Sequence, residues 1–275
     1  MLFRSAAVLV HGSGPNDRDE TVGGAKVFKD LAEGLASRGI VVLRYEKRTL
    51  QYRARIAGIA NFTVREETVD DAVKALALVR AQAEVNGGRV FVIGHSLGAY
   101  VAPRIAEQDG KLAGMVLMAG NVRPLEDLVV EQVTYMGITG KEADNAKAFE
   151  ARLEKAKAFQ AKVKKLEPGD EDSPALGGVP VAYWVDLKEY DPAAAAKKLG
   201  IPMLILQGER DFQVTMADFG MWKTAVGSAK GVVMMSYPAL NHLFVAGEGK
   251  SLPGEYTKSG HVAPQVIDDI AKFIK

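Results

Sequence analysis

The chain of 275 residues contains no cysteine. That absence removes thiolate nucleophiles, disulfide frameworks and thiolate metal sites together, and leaves any chemistry to oxygen and nitrogen. An excess of one charge is missing too, since 35 lysines and arginines face 34 aspartates and glutamates. So balanced a chain has no field strong enough to imply nucleic acid or an anionic membrane as partner, and a neutral small molecule suits it. No apolar run approaches the roughly 20 residues that a membrane helix needs. The apolar residues 1–10 lack a basic leader and a cleavage site and run directly into His11-Gly12. They read as a buried strand, and the protein as cytoplasmic.

What is present is alternation. Short apolar runs at 6–10, 41–45, 90–93, 115–118, 203–206 and 232–236 read as strands buried on both faces. Helical patterns lie between them, beginning near Lys26, Val64, Leu97 and Phe219, and a last one covers 263–274. This order predicts an α/β protein, a mostly parallel sheet flanked by helices. The stretch 121–199 breaks the alternation, which predicts a core of residues 1–120 and 200–275 with a helical cap insertion at 121–199. Within the insertion a charged helical pattern runs from Lys141 to about Glu167, where Pro168-Gly169 ends it. Its residues Phe149, Leu153, Ala156, Phe159, Val163 and Leu166 form one apolar stripe, to be covered by capping the active site or by contact in a homodimer.

The strongest local signal is Gly94-His95-Ser96-Leu97-Gly98, between the strand 90–93 and the helical Ala99-Tyr100-Val101-Ala102. A serine on so sharp a strand-to-helix turn needs glycine on either side, and the turn lifts its hydroxyl to the carboxyl end of the sheet. A serine hydroxyl is a poor nucleophile and needs a histidine base, itself held by a carboxylate. There are four histidines. His11 and His95 read as structural, and His261, ahead of the final helix, as a surface or capping residue. His242 follows the last strand on a loop, where a base can reach across the sheet. Asp211, after the strand 203–206, is the preferred acid, with Glu209 as its substitute. The chain order serine, acid, histidine is that of the α/β-hydrolases.

Acyl transfer also needs backbone N–H groups for the developing oxyanion. Leu97 is one candidate donor and Ser13, in His11-Gly12-Ser13-Gly14-Pro15, the other. A phosphate loop is the rival reading of this turn, but the Lys-Ser/Thr ending is missing and Asp17-Arg18-Asp19-Glu20 would repel phosphate. Gly14, His95 and Trp184 are candidate walls of the substrate pocket. The basic residues Arg44, Lys47, Arg48, Arg53 and Arg55 read as a solvated loop paired with acids, with a substrate carboxylate as the alternative. No metal or organic cofactor is expected.

The stretches His11-Gly12-Ser13-Gly14-Pro15-Asn16-Asp17-Arg18-Asp19-Glu20, Leu43-Arg44-Tyr45-Glu46-Lys47-Arg48-Thr49, the serine turn, Tyr183-Trp184-Val185-Asp186-Leu187, 207–215 and 240–244 resemble the EstD-like bacterial carboxylesterases, within the serine aminopeptidase and dienelactone-hydrolase-like groups. The resemblance covers nearly the whole chain. It implies a cofactor-free carboxylesterase preferring short acyl chains, with nucleophile, acid and base on Ser96, Asp211 and His242 and a helical insertion as cap. Two departures stand out: Glu46 where aspartate is commoner, and a first strand without the family's usual leading strands. The second would leave a sheet edge open and favours a homodimer. The remaining alternatives are amide or carbohydrate-ester substrates on the same triad, or a binding protein on a hydrolase fold.

Overall fold

The computed structural model describes residues 4–139 and 146–275. The first strand, β1 (Arg4–Val10), is followed by the two-residue strands β2 (Thr21–Val22) and β3 (Ala25–Lys26), which pair as a small antiparallel ribbon. Helix α1 (Val27–Ser37) then leads to β4 (Val41–Leu43) and the short helices α2 (Arg48–Gln51) and α3 (Arg53–Ile56). A single π-helical turn, Arg65–Val69, opens into α4 (Asp70–Arg80), and the long β5 (Val85–His95) feeds α5 (Leu97–Asp109). After β6 (Gly114–Met118) come four helices, α6 (Leu125–Thr139), α7 (Ala146–Lys165), α8 (Val181–Lys188) and α9 (Pro192–Leu199). The chain closes with β7 (Met203–Gly208), α10 (Met216–Val226), β8 (Val232–Tyr237) and α11 (Pro264–Ile274).

In the described residues six strands form one parallel sheet in the order β4-β1-β5-β6-β7-β8. Side chains alternate across it as the twofold period of a strand requires. Ala6, Val8 and Val10 of β1 join a core with α4, α5 and α10, while Ala7 and Leu9 join a second core with α1 and α11. Burial on both faces explains why these strands read as unbroken apolar runs. The carboxyl ends of β1, β5, β7 and β8 lie at one rim of the sheet, and every candidate catalytic residue sits just beyond one of them.

The insertion differs from its sequence reading in two of its helices, α6 and α9. Helix α6 went unread, because its apolar residues spread around the helix instead of forming a clear stripe. The described part of α7 begins at Ala146; residues 141–145 of the expected helix lie outside the described residues. Its stripe is covered within the chain: Ala156, Val163 and Leu166 are buried, α7 packs on α6, and a Cβ on Gly137 of α6 would collide with Phe149. Helix α9, assigned to the insertion, packs instead on α5 and α10 as part of the layer that covers the sheet. Helix α10 begins at Met216, three residues before the expected start.

Candidate active site

Ser96 stands between β5 and α5 with φ 53° and ψ −119°, a conformation that a side-chain-bearing residue rarely adopts. The strain is held by its surroundings. The Ser96 N–H donates to Met118 O at 2.9 Å, and the Ser96 carbonyl accepts from the amides of Ala99 and Tyr100. Close approach, not flexibility, explains the flanking glycines: a Cβ on Gly94 would lie 2.3 Å from Gly98 O, and one on Gly98 would lie 2.0 Å from Val10 O.

His242 lies on the loop after β8. Its Nδ1 faces Asp211 Oδ2 at 2.7 Å, with both side chains buried. The carboxylate is saturated: Oδ1 accepts the amides of Gln213 and Val214 at 2.8 and 3.0 Å, and Oδ2 also accepts from Gln207 Nε2 at 3.1 Å. An acceptor at Nδ1 fixes the proton there and leaves Nε2 as the basic nitrogen of the neutral ring. The loop itself is shaped by Asn241, whose Oδ1 accepts the amides of Leu243 and Val245. Among the described residues Ser96 Oγ makes no hydrogen bond. The serine–histidine contact is commonly loose in a site without substrate.

The turn after β1 is braced from behind. Gly12 lies against Ser96, since a Cβ on it would come within 3.2 Å of Ser96 Cβ. Its N–H donates to Glu20 Oε1 at 2.8 Å, and its carbonyl accepts from Lys47 Nζ at 2.8 Å and Asn16 Nδ2 at 3.1 Å. Glu20 Oε2 in turn faces His95 Nδ1 at 3.0 Å, while His95 Nε2 faces His242 O at 2.9 Å. Glu20 Oε2 and His95 Nδ1 are thus within ion-pair distance inside the protein, although neither atom makes a hydrogen bond among the described residues. Burial opposes a charged His95 ring, but Glu20, the His242 carbonyl and Asp211 together outweigh it and raise the His95 pKa; burial likewise opposes the Glu20 carboxylate, which His95, His11 and the Gly12 N–H together hold below the usual carboxylate range.

A cavity of about 270 Å³ opens over this rim. Ser13 and Ser96 line it together with Leu125, Leu128 and Val129 of α6 and Trp184 of α8. It shares Gly177, Val179 and Tyr183 with a wider groove of about 790 Å³, which runs past Gly14, Arg53 and Phe62. Trp184 is held by a hydrogen bond from Nε1 to Leu176 O at 3.0 Å. Among the described residues no group of three or more histidine or acidic side chains is arranged to hold a metal ion, and no helix is long and apolar enough to cross a membrane.

The structure therefore joins Asp211 to His242, and brings Ser13, Ser96 and Trp184 onto one cavity. Leu97 begins α5, and among the described residues neither its N–H nor that of Ser13 has an acceptor within the protein. Of the other expected pocket walls, Gly14 lines the wider groove, whereas His95 is 3% exposed and engaged behind the turn. Glu209 bonds Ser236 on the surface, His11 is buried against Asp17 O, and His261 pairs with Asp30 in solvent. Of the basic cluster, Arg44 pairs with Asp19 and Arg48 with Asp71, Arg53 lines the wider groove and Arg55 lies over the Tyr52 ring, while Lys47 is not solvated: it is buried on Glu67. Glu20, Glu67 and Tyr183 escaped the sequence reading of the site. Glu20 and Tyr183 fall in motifs that carried the resemblance, yet nothing local says that they turn inward.

The pattern of the family described as serine aminopeptidase, S33, matches residues 6–248. Esterase EstD of Thermotoga maritima is 44% identical over 269 residues, covering 98% of this chain and 61% of that protein. This chain thus spans about three fifths of the length of that relative. Among solved structures, esterase Pf2001 of Pyrococcus furiosus is similar with a TM-score of 0.55 at 15% identity, over 88% of this chain and 75% of that one. Est1E of Butyrivibrio proteoclasticus is similar with a TM-score of 0.60 at 12% identity, over 100% and 90%.

Proposed function

From a chain that belongs to the serine aminopeptidase S33 family and has the α/β-hydrolase fold, we propose a serine carboxylesterase acting on small, short-acyl esters. The observation that carries this reading is the pairing of His242 with a fully bonded Asp211 at the same rim as the strained Ser96, beside an apolar cavity that Ser96 and Ser13 line. Ser96 Oγ attacks the ester carbonyl while His242 Nε2 takes its proton. Asp211 holds the Nδ1–H and stabilises the imidazolium that forms. The carbonyl oxygen, now negative, is met by the amides of Ser13 and Leu97. Collapse of the tetrahedral intermediate expels the alcohol with the proton from His242, and water repeats the sequence to release the acid. No metal or organic cofactor takes part.

The insertion, chiefly α6 and α8, acts as the cap that walls the cavity. At about 270 Å³ the cavity lies below the range of about 300–1,000 Å³ usual for ligand pockets, which favours a short acyl group. The wider groove offers room for the alcohol part. An aminopeptidase on the same triad is the second reading, favoured by the family description; the walls of the smaller cavity offer no acid for a substrate ammonium among the described residues.

Initial rates across p-nitrophenyl esters from acetate to palmitate test the proposal, with Ser96→Ala as control. A rate highest on short chains, and falling by about 10⁴-fold or more in Ser96→Ala, supports it. A matched anilide turned over as fast as the ester would move the reading to a peptidase.

A further inference from the structure

Besides Glu20 and His95, the catalytic scheme leaves unused a second buried charged pair, Lys47 and Glu67, of which Glu67 borders the wider groove. Lys47 and Glu67 are 1% and 5% exposed, and their charged atoms lie 2.5 Å apart. Such a pair is weak evidence of stabilisation, because apolar residues of similar volume commonly serve the fold as well or better. Its geometry gives it another use. Lys47 Nζ donates to Gly12 O at 2.8 Å, and that carbonyl belongs to the same peptide unit as the N–H of Ser13. We propose that Lys47 is a positioning residue for the oxyanion hole, its ammonium polarising and fixing the Gly12–Ser13 peptide so that the Ser13 N–H is a stronger and better-aimed donor.

The physical steps are short. A cation on the carbonyl oxygen draws electron density through the amide resonance and leaves the nitrogen side more positive. Away from water this polarisation is not screened, and hydrogen bonds in series strengthen one another. Asn16 Nδ2 adds a second donor to the same oxygen, at 3.1 Å. The Gly12 N–H, in the preceding peptide unit, is held by Glu20, so the chain that leads into the Gly12–Ser13 peptide is anchored as well.

Lys47 is held in turn from the insertion. Glu67 enters from the π-helical turn before α4, and its Oε2 accepts from Tyr183 Oη of α8 at 2.6 Å. Burial and the Glu67 charge both raise the Tyr183 pKa, which keeps its phenol a donor. The chain Tyr183, Glu67, Lys47, Gly12 thereby ties a helix that borders the cavity to the turn that receives the oxyanion.

This inference rests on the esterase reading, and the test separates the two. Lys47→Met is compared with Lys47→Met/Glu67→Met, which leaves no lone buried charge, and with Arg48→Met on the same loop. Each is measured for thermal stability, for the fraction of sites labelled by a fluorophosphonate, for kcat and KM on a short p-nitrophenyl ester, and for the Ki of a short alkyl trifluoromethyl ketone, whose adduct puts an oxyanion in the hole. Losing a whole oxyanion donor costs about 10²–10³ in kcat, so losing its polarisation is expected to cost about 10- to 100-fold per labelled site, with KM within about threefold. Ki should rise in parallel, the double variant should regain stability over Lys47→Met without regaining kcat, and Arg48→Met should match the parent in kcat.

The proposal is overturned if kcat per labelled site in the double variant lies within about twofold of the parent, or if kcat falls while Ki stays put. Failure of the parent to label, or full activity in Ser96→Ala, would overturn the esterase reading instead.

Discussion

Two histidine–carboxylate pairs stand back to back at the carboxyl rim of the sheet, and they differ in what their second nitrogen meets. His242 pairs through Nδ1 with Asp211, and its Nε2 has no partner among the described residues. His95 pairs through Nδ1 with Glu20, and its Nε2 is spent on the carbonyl of His242. One ring is left with a nitrogen free of protein partners among the described residues, and the other is enclosed on both sides, by Glu20 and by a carbonyl. A buried carboxylate beside a histidine therefore does not identify a base; the freedom of the other nitrogen does. A third pair, His261 with Asp30, lies in solvent with the histidine side chain 81% exposed, and completes the contrast.

The comparison breaks most sharply at Asp211. Asp211→Asn keeps the shape but favours the wrong tautomer of His242, and kcat on a short ester is expected to fall by about 10⁴-fold while KM changes little. If Glu20→Gln cost as much, the two pairs would be equivalent and the assignment of His242 would fail.

Glu20→Gln is expected to act on stability first, by about 1–3 kcal/mol, because it leaves the His95 ring without its charge partner. The sign of its pH dependence follows from both groups. Glu20 has a lowered pKa, so its contribution is present above the usual value of 4.5 and is lost as pH falls through the folded one. His95 has a raised pKa, so its contribution is complete below the usual value of 6.5 and is lost as pH rises through the folded one. The difference in melting temperature between parent and variant should thus be largest from pH 4.5 to 6.5 and shrink on either side.

Filling the cavity sharpens the contrast without touching either pair. Val129→Phe should lower kcat/KM on butyrate relative to acetate by about tenfold, as expected for one or two methylenes refused by a pocket. An unchanged ratio would mean that α6 does not bound the acyl group. The smallest effect belongs to the exposed pair: His261→Ala should leave kcat unaltered and stability within about 0.5 kcal/mol, measured by chemical unfolding.

The legible part of the site follows a pattern. The Ser96 turn was readable because steric demands act between neighbours in sequence: Gly94 and Gly98 must be glycine for the turn to close at all. Asp211 and His242 were readable from their places just after β7 and β8, since parallel strands deliver their carboxyl ends to one rim. The strands were readable because burial on both faces leaves continuous apolar runs. Helix α6 was not, because a helix sandwiched between α7 and the cavity is apolar on more than one side and loses its period. His95 adjoins Ser96 in sequence, which suggests a pocket wall, but the turn directs its ring to the far side, against Glu20 and the His242 carbonyl.

Sequence alone determined the class of fold, the strained serine turn and the places of Asp211 and His242 at one rim of the sheet, all of which depend on local sterics and on the periodicity of burial. Tertiary structure decided which charges are buried and what they face. Lys47 and Arg48 are adjacent and alike in sequence, yet Lys47 is buried on Gly12 and Glu67 while Arg48 pairs with Asp71 nearer the surface. Glu20 and Glu46 are the same type of residue, yet Glu20 faces His95 from within while Glu46 holds Arg18 at the surface. The reason is physical: a side chain's charge is a property of its own chemistry, but its solvation and its partner belong to the packing of segments far apart in the chain.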